Sequence, residues 1–244
     1  MPIKIESGYL ILAILFFVAQ QIVASHEPYF LWVWLVLLII YLMQKWAIFL
    51  GLAVYSLGVL LISWILPVNW FFHLVSIGLS FVLYLFLISP LRPALLILCS
   101  FLLYSGLTGV FSEFLFLSLP GNIIWWEIVV VFIATVTLTY ASLKLAWDNR
   151  STSQISAEGN TLKKKLLPES LIIGVVMSEL ILVVSFLPFN FISQGATLSV
   201  AYLFLYSIFA NEMAEKLSKK IIIKSIVVAV VAIIVIFASI SWHL

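Results

Sequence analysis

Two glutamates inside long apolar segments, Glu113 and Glu179, are the side chains of this chain best placed to do chemistry within a membrane. Each follows a serine and precedes a Leu-Pro-x-Asn turn, at 119–122 and at 187–190. At 1.5 Å per helical residue, Glu113 lies ~10 Å and Glu179 ~13 Å below its turn, against a half-thickness of ~15 Å for the hydrocarbon core. A carboxylate at that depth costs ~2.5–3.5 kcal/mol, so it should point into the protein, pair or take up a proton.

No lysine or arginine lies deep enough to pair with Glu179. We therefore expect a proton, a bound cation or a cationic group of a partner subunit to neutralise it. Gln20 and Gln21 stand at a matching level before Pro28, and His73 lies just inside the outer end of the fourth apolar segment. The predicted intramembrane polar site consists of Glu179, Glu113, Gln20, Gln21 and His73.

A structural alternative assigns these groups no ligand. A protonated glutamate can hydrogen-bond between helices and hold them together. A third glutamate, Glu127, is interpreted as interfacial because it follows Trp125 and Trp126, and tryptophan is enriched at headgroup level.

The composition predicts an all-α polytopic integral membrane protein. Of the 244 residues, 65% are hydrophobic and 9% are charged, whereas about a quarter are charged in a soluble domain. The apolar segments must form helices, because an open sheet edge in lipid leaves backbone groups unpaired. The lipid bilayer is therefore an expected partner, whereas the net charge of +2 favours no nucleic acid.

The charges predict the orientation of about nine transmembrane helices. All 12 lysines and arginines fall near one side if the N-terminus is cytoplasmic and the C-terminus lies outside. The first two segments are short, so a re-entrant pair is an alternative, and a count of about eight would put both termini on one side. All prolines are expected at or beyond helix ends. The apolar segments are 8–24, 29–43, 46–66, 70–89, 94–117, 123–145, 169–187, 191–210 and 221–242.

Leu-Pro-x-Asn turns recur at 66–69, 119–122 and 187–190, with a degenerate turn at 27–30. They predict four outer-capped hairpins followed by a final helix. Proline presets φ and the asparagine side chain bonds nearby backbone, so the turns could also have arisen independently. The repeat is therefore either a true duplication or a convergence of turn chemistry.

A polar segment divides the chain. Residues 1–146 are predicted as a six-helix membrane part, 147–168 as a mobile cytoplasmic linker, and 169–244 as a three-helix membrane part. Rows of small or hydroxyl residues at helical spacing predict close helix approach. These rows are Ser105, Gly109 and Ser112, then Thr135, Thr139 and Ser142, then Gly174 and Ser178.

The motifs of common catalytic and cofactor sites are absent from the sequence. It contains no H-E-x-x-H, G-x-S-x-G, Walker A or G-x-G-x-x-G pattern, and its single cysteine, Cys99, forms no metal cluster. We predict no catalytic residue, cofactor or metal site, and an intramembrane enzyme acting on lipid has the least support.

Two functions remain as hypotheses. The first is a small secondary transporter or ion-conducting protein that binds a small solute or cation through a deep glutamate. The alternative is a non-catalytic membrane subunit or scaffold of a larger envelope complex, which contacts another membrane subunit through the aliphatic segment from Ile221 to Trp242. We expect either protein in a prokaryotic cytoplasmic membrane.

Overall fold

The computed structural model describes residues 7–24, 46–65, 70–88, 93–116, 122–151, 159–187, 189–213 and 216–239. Each of these stretches contains one α-helix, and the described residues form no β-strand. The predicted second apolar segment, 29–43, and the turns at 27–30, 66–69 and 119–121 lie outside the described residues. The helices are α1 (Ser7–Ala24), α2 (Trp46–Ile65), α3 (Trp70–Ile88), α4 (Pro93–Phe116), α5 (Asn122–Ser151), α6 (Gly159–Ser185), α7 (Phe191–Met213) and α8 (Lys219–Ser239).

Four of these helices are long and apolar enough to cross a membrane, which indicates that the protein associates with one. The spans are Glu127–Lys144 in α5, Lys165–Ser185 in α6, Phe191–Met213 in α7 and Lys219–Ala238 in α8. Shorter apolar stretches lie within α2, α3 and α4. The prediction of an all-helical membrane protein is therefore confirmed at this level.

One apolar core joins both predicted membrane parts. Its fully buried side chains include Phe16 of α1, Tyr55 of α2, Leu103 of α4, Val131 of α5 and Met177 of α6. α7 adds Leu198 and Tyr202. By contrast, no residue of the span in α8 is buried. The division into 1–146 and 169–244 therefore stays a prediction about the order along the chain, because side chains of both parts pack in one core.

Helices that the predicted turns connect are not each other's main neighbours. The most extensive contacts join α5 to α6, α4 to α7 and α2 to α4, whereas α2 packs less on α3 and α4 less on α5. Short connections bring chain neighbours close, but side-chain complementarity decides which helices pack tightly. The predicted hairpins are therefore not the packing units of this bundle.

Small residues stand where the helices approach most closely. A Cβ added to Gly58 of α2 would lie 2.7 Å from the Leu103 nitrogen of α4, and one added to Gly106 would lie 2.9 Å from the Gly58 oxygen. A Cβ on Gly195 of α7 would overlap Ser105 of α4. On α6, a Cβ at Gly174 would lie 2.5 Å from Val136 Cγ2 of α5. The prediction of close approach is confirmed at Ser105, Gly109 and Gly174.

Two sequence-based expectations fail around the polar segment 147–168. α5 continues to Ser151 and α6 begins at Gly159, so much of the predicted mobile linker is helical. Pro168 lies inside α6, contrary to the expectation that every proline falls at a helix end. Proline removes a backbone hydrogen bond, yet buried Leu166 packs with Leu143 and Met213. The packing of Leu166 on α5 and α7 supports the helix beside the proline.

Candidate functional site

A buried carboxyl group lies where the start of α5 meets the end of α6. Glu127, in the second turn of α5, is only 2% exposed. The Ser185 hydroxyl, at the last residue of α6, donates a hydrogen bond of 2.9 Å to Glu127 Oε1. No ion pair to Glu127 is found within the described part of the chain. A carboxyl group removed from water and without a cation favours binding of a proton or a small cation.

The third Leu-Pro-x-Asn turn positions this end of the site. Asn190 precedes α7 and its Oδ1 accepts a hydrogen bond of 2.8 Å from the Ser193 nitrogen, as an N-cap residue does. Gln194, one turn into α7, is buried and its Nε2 donates to the Leu187 oxygen at 3.2 Å. The predicted side-chain-to-backbone bond of the turn is confirmed at Asn190, and the bend sets α6 and α7 side by side.

Hydroxyl groups lie further along α5, on the side that faces α4. Thr135 and Thr139 are fully buried and Ser142 is half-buried. At about 100° per residue they are rotated by ~60–120° from Glu127 around the helix, and Thr135 lies ~12 Å further along the axis. The Tyr104 hydroxyl of α4 lies 2.9 Å from Thr135 Oγ1. This row of polar groups runs from the carboxyl group toward the opposite end of the bundle.

Three buried hydroxyl groups near this row have no hydrogen-bond partner: Ser105 Oγ, Thr139 Oγ1 and Tyr202 Oη. The Tyr202 ring lies 5.9 Å from the Tyr104 ring, and its hydroxyl faces Thr139 and Ser142 without reaching hydrogen-bond geometry. Buried polar groups are commonly satisfied by ordered water. The cluster thus places three unpaired hydroxyl groups between α4, α5 and α7.

A second buried carboxyl group lies near the other end of the apolar span Lys165–Ser185 of α6. Glu169 is 8% exposed, and its Oε2 has no hydrogen-bond partner. Its charged neighbours are Glu212 of α7 and Lys165. Glu169 and Ser185 are ~24 Å apart along α6, compared with ~30 Å for a hydrocarbon core. The group of α5, α6 and α7 thus carries one buried carboxyl group near each end.

The structure brings three of the five predicted site residues together between α1 and α3. Gln20 is fully buried, and its Nε2 donates to Ser80 Oγ at 2.9 Å. His73 Nδ1 lies 2.7 Å from Gln21 Oε1 and donates, because an amide oxygen only accepts. Gln20 Oε1 and Gln21 Nε2 have no partner. These contacts attach α1 to α3.

Glu179 is separate from that group. It is exposed on the outer face of α6, while the adjacent Ser178 is buried. Each helical residue advances about 100°, so packing Gly174 and Ser178 against α5 turns Glu179 away from the bundle. Glu113 lies on α4, but its side chain is outside the part that the structure describes.

Sequence reasoning missed Glu127 and Ser185 as partners and interpreted Glu127 as interfacial. A signal was present, because Glu127 falls on the same helical stripe as the apolar residues Val131, Ala134 and Leu138, which are buried. Spacing within α5 cannot reveal that Ser185 lies opposite, since this contact joins residues 58 positions apart.

Comparison with known proteins supplies one similarity. Residues 151–239 resemble a family described as "Protein of unknown function (DUF5656)". No curated protein matches the chain, and no solved structure does. The resemblance covers all of α6, α7 and α8, so it includes Glu169, Glu179 and Ser185 but not Glu127.

Proposed function

We propose that this protein is a small secondary transporter or ion-conducting protein that moves a proton or a small cation, with Glu127 as the binding group. The observation that carries the proposal is the Glu127 carboxyl group itself, which is 2% exposed and hydrogen-bonded to Ser185. An intramembrane carboxyl group without a cation marks ion and proton pathways in membrane proteins. Its position at the contact of α5 with α6 gives a transported ion a fixed site.

The second carboxyl group and the hydroxyl row support a path rather than a single site. Glu169 supplies a proton-accepting group at the opposite end of α6, beside Glu212 and Lys165. Thr135, Thr139 and the tyrosine hydroxyl groups lie between the two ends. Water bound to the unpartnered hydroxyl groups would connect them, and this requires no cavity larger than a water molecule.

The proposed arrangement in the membrane is the one that the charges predict. About nine helices cross a prokaryotic cytoplasmic membrane, with the N-terminus cytoplasmic and the C-terminus outside. Glu127 then lies toward the outer side and Glu169 toward the cytoplasm. This orientation is part of the proposal. The origin of the Leu-Pro-x-Asn turns by duplication is also part of it.

The test is ion flux in vesicles of purified protein. An imposed pH gradient, with sodium or potassium on one side, is followed by a pH-sensitive dye inside the vesicle. We expect Glu127→Gln to reduce flux by about tenfold or more, because an amide binds no proton and carries no charge for a cation. Glu179→Gln is the matched control, since Glu179 faces away from the bundle and should leave the rate unchanged.

Two results would reject this proposal. The first is wild-type protein that moves none of these ions. The second is a loss of flux in Glu179→Gln but not in Glu127→Gln. That result would assign the ion-binding site to Glu179, as its depth in the membrane predicts.

A second candidate function is a membrane subunit or scaffold of a larger envelope complex. The observation that favours it is the span Lys219–Ala238, of which no residue is buried. The proposed contact with another subunit runs through the segment from Ile221 to Trp242. Purification in mild detergent with no co-purifying protein, together with ion flux by the isolated chain, would contradict this function.

A further inference from the structure

The contact between α1 and α3 contains polar side chains whose hydrogen bonds are incomplete. His73, Ser76 and Ser80 lie at helical spacing on one stripe of α3. Gln20 and Gln21 of α1 both form hydrogen bonds with this stripe. Gln20 is fully buried, Gln21 is half-buried and His73 is exposed. A row of polar side chains therefore leads from the surface near the end of α1 into the contact.

The hydrogen bonds determine which end of each glutamine amide is free. The Ser80 hydroxyl donates to the Ser76 oxygen at 2.9 Å, so toward Gln20 Nε2 it acts as the acceptor. Gln20 Oε1 is then the free end of that amide, and it has no partner among the described residues. His73 Nδ1 donates to Gln21 Oε1, which leaves Gln21 Nε2 without a partner there. Consecutive residues of α1 thus present one free acceptor and one free donor.

The chemistry of the contact favours a neutral and polar occupant. As far as the structure describes them, α1, α2 and α3 contain no Asp, Glu, Lys or Arg, so a buried ion would meet no opposite charge. His73, the basic side chain here, is exposed and its Nδ1 is already bonded to Gln21. An apolar occupant would leave both amide atoms unpaired, which is unfavourable in a buried site. A neutral molecule that donates to Gln20 and accepts from Gln21 pairs both atoms.

We propose that the contact of α1 with α3 binds a small neutral molecule with an adjacent hydrogen-bond donor and acceptor, the class to which primary amides belong. Its N–H group donates to Gln20 Oε1, and its carbonyl oxygen accepts from Gln21 Nε2. The hydrogen bond from His73 holds the Gln21 amide at the exposed end of the site. Because both free amide atoms are enclosed, the molecule enters when α1 and α3 separate at that end.

This amide site is separate from the proposed ion site in position and in chemistry. Glu127 lies at the contact of α5 with α6 and supplies a carboxyl group, whereas Gln20 lies at the contact of α1 with α3 and supplies an amide. The main contacts of α1 and α3 are with each other and with α2. Binding at the amide site therefore does not rest on ion flux through Glu127.

Binding of acetamide to the protein in lipid vesicles tests the site, and ligand-observed NMR follows it. We expect saturable binding of acetamide, and binding weaker by about tenfold or more for acetone and acetate. Acetone accepts a hydrogen bond but has no N–H group to donate to Gln20, and acetate is charged. Acetamide should also raise the midpoint of thermal unfolding, because a ligand that binds the folded protein stabilises it.

Two variants remove the free amide atoms one at a time. Gln20→Met keeps a side chain of similar length without the acceptor, and Gln21→Met does the same without the donor. Each should raise the dissociation constant of acetamide by about tenfold or more and suppress the rise in unfolding midpoint. Ser100→Ala is the control, since the Ser100 hydroxyl donates within α4 to the Ile97 oxygen. Unfolding without acetamide shows that each variant is folded.

Three results would overturn the site. One is equal binding of acetamide and acetone, which would show that no donor is recognised. Another is unchanged acetamide binding in both glutamine variants. The third is wild-type protein that binds no acetamide, and a lower unfolding midpoint in Gln20→Met would then indicate that water alone pairs with the amides. Each of these results leaves ion flux through Glu127 untouched, so the two sites are tested separately.

Discussion

Glu127 and Glu179 lie on neighbouring helices and occupy opposite environments. Glu127 faces the contact of α5 with α6, where Ser185 donates a hydrogen bond to it, whereas Glu179 faces away from the bundle. Both glutamates are near apolar segments in the sequence, and their depth could be estimated from residue counting. The direction in which each glutamate points could not be predicted in this way, because it depends on which face of each helix packs against its neighbours. Glu127 is therefore enclosed by protein, whereas Glu179 is open to the surroundings of the bundle.

At the residue scale, the two central tyrosines should respond differently to loss of their hydroxyl groups. Tyr104→Phe breaks the hydrogen bond to Thr135 and leaves that threonine unpaired, so the free energy of unfolding should fall by ~1–3 kcal/mol. Tyr202→Phe removes a hydroxyl group that has no partner, so stability should stay equal or rise slightly. Unfolding by a graded denaturing detergent measures both variants.

The variants Tyr104→Phe and Tyr202→Phe also test the proposed water path. If water bound at Tyr202 carries protons, Tyr202→Phe should slow proton flux while stability holds. If Tyr202→Phe is less stable than Tyr104→Phe, the Tyr202 hydroxyl group forms a stabilising hydrogen bond within the protein. Tyr202 would then not belong to the proposed water path.

At the element scale, apolar length predicts where helices occur but not where they end. Each described apolar segment is a helix, as expected from the need to pair backbone groups in lipid. α5 and α6 nevertheless continue into the polar segment, and α6 includes Pro168. The thickness of the lipid does not limit the length of the helical turns that extend into water. The packing of Leu166 on α5 and α7 favours a helix there.

Two glycines on adjacent helices give a matched test of packing. In Gly58→Ala the new Cβ would lie 2.7 Å from the Leu103 backbone nitrogen, so α2 and α4 must separate, at a cost of ~1–3 kcal/mol. In Gly78→Ala of α3 the new Cβ meets nothing within 4 Å, so higher helix propensity should stabilise the protein by up to ~1 kcal/mol. Midpoints of thermal unfolding compare the variants. Equal midpoints would contradict the close contact of α2 with α4.

At the scale of the whole molecule, three polar contacts between helices each involve at least one residue near a helix end. The end of α1 meets the start of α3 through Gln21 and His73, and the start of α5 meets the end of α6 through Glu127 and Ser185. Thr108 of α4 donates to the Phe191 oxygen at the start of α7 at 3.0 Å. These are the ends that the lysine and arginine distribution assigns to the outer side of the membrane.

The proposed nine-helix topology places the termini on opposite sides. A peptide tag before Met1 should be accessible only after the membrane is opened, whereas a tag after Leu244 should be accessible from outside in intact cells. The measurement is antibody binding before and after permeabilisation. Tags on one side would indicate eight crossings and would remove the assignment of Glu169 to the cytoplasmic side, whereas a re-entrant first pair would leave seven crossings and keep the termini on opposite sides.

By itself, the sequence determined the class of protein, the positions of the described helices and the rows of small residues at their contacts. Those properties depend on composition and on short-range spacing, which a helix repeats every 3.6 residues. Only the tertiary structure decided that Glu127 is buried beside Ser185, that Glu179 faces outward, and that α5 packs mainly on α6. Each of these depends on the rotation of one helix against another, which is set by side chains far apart in the chain.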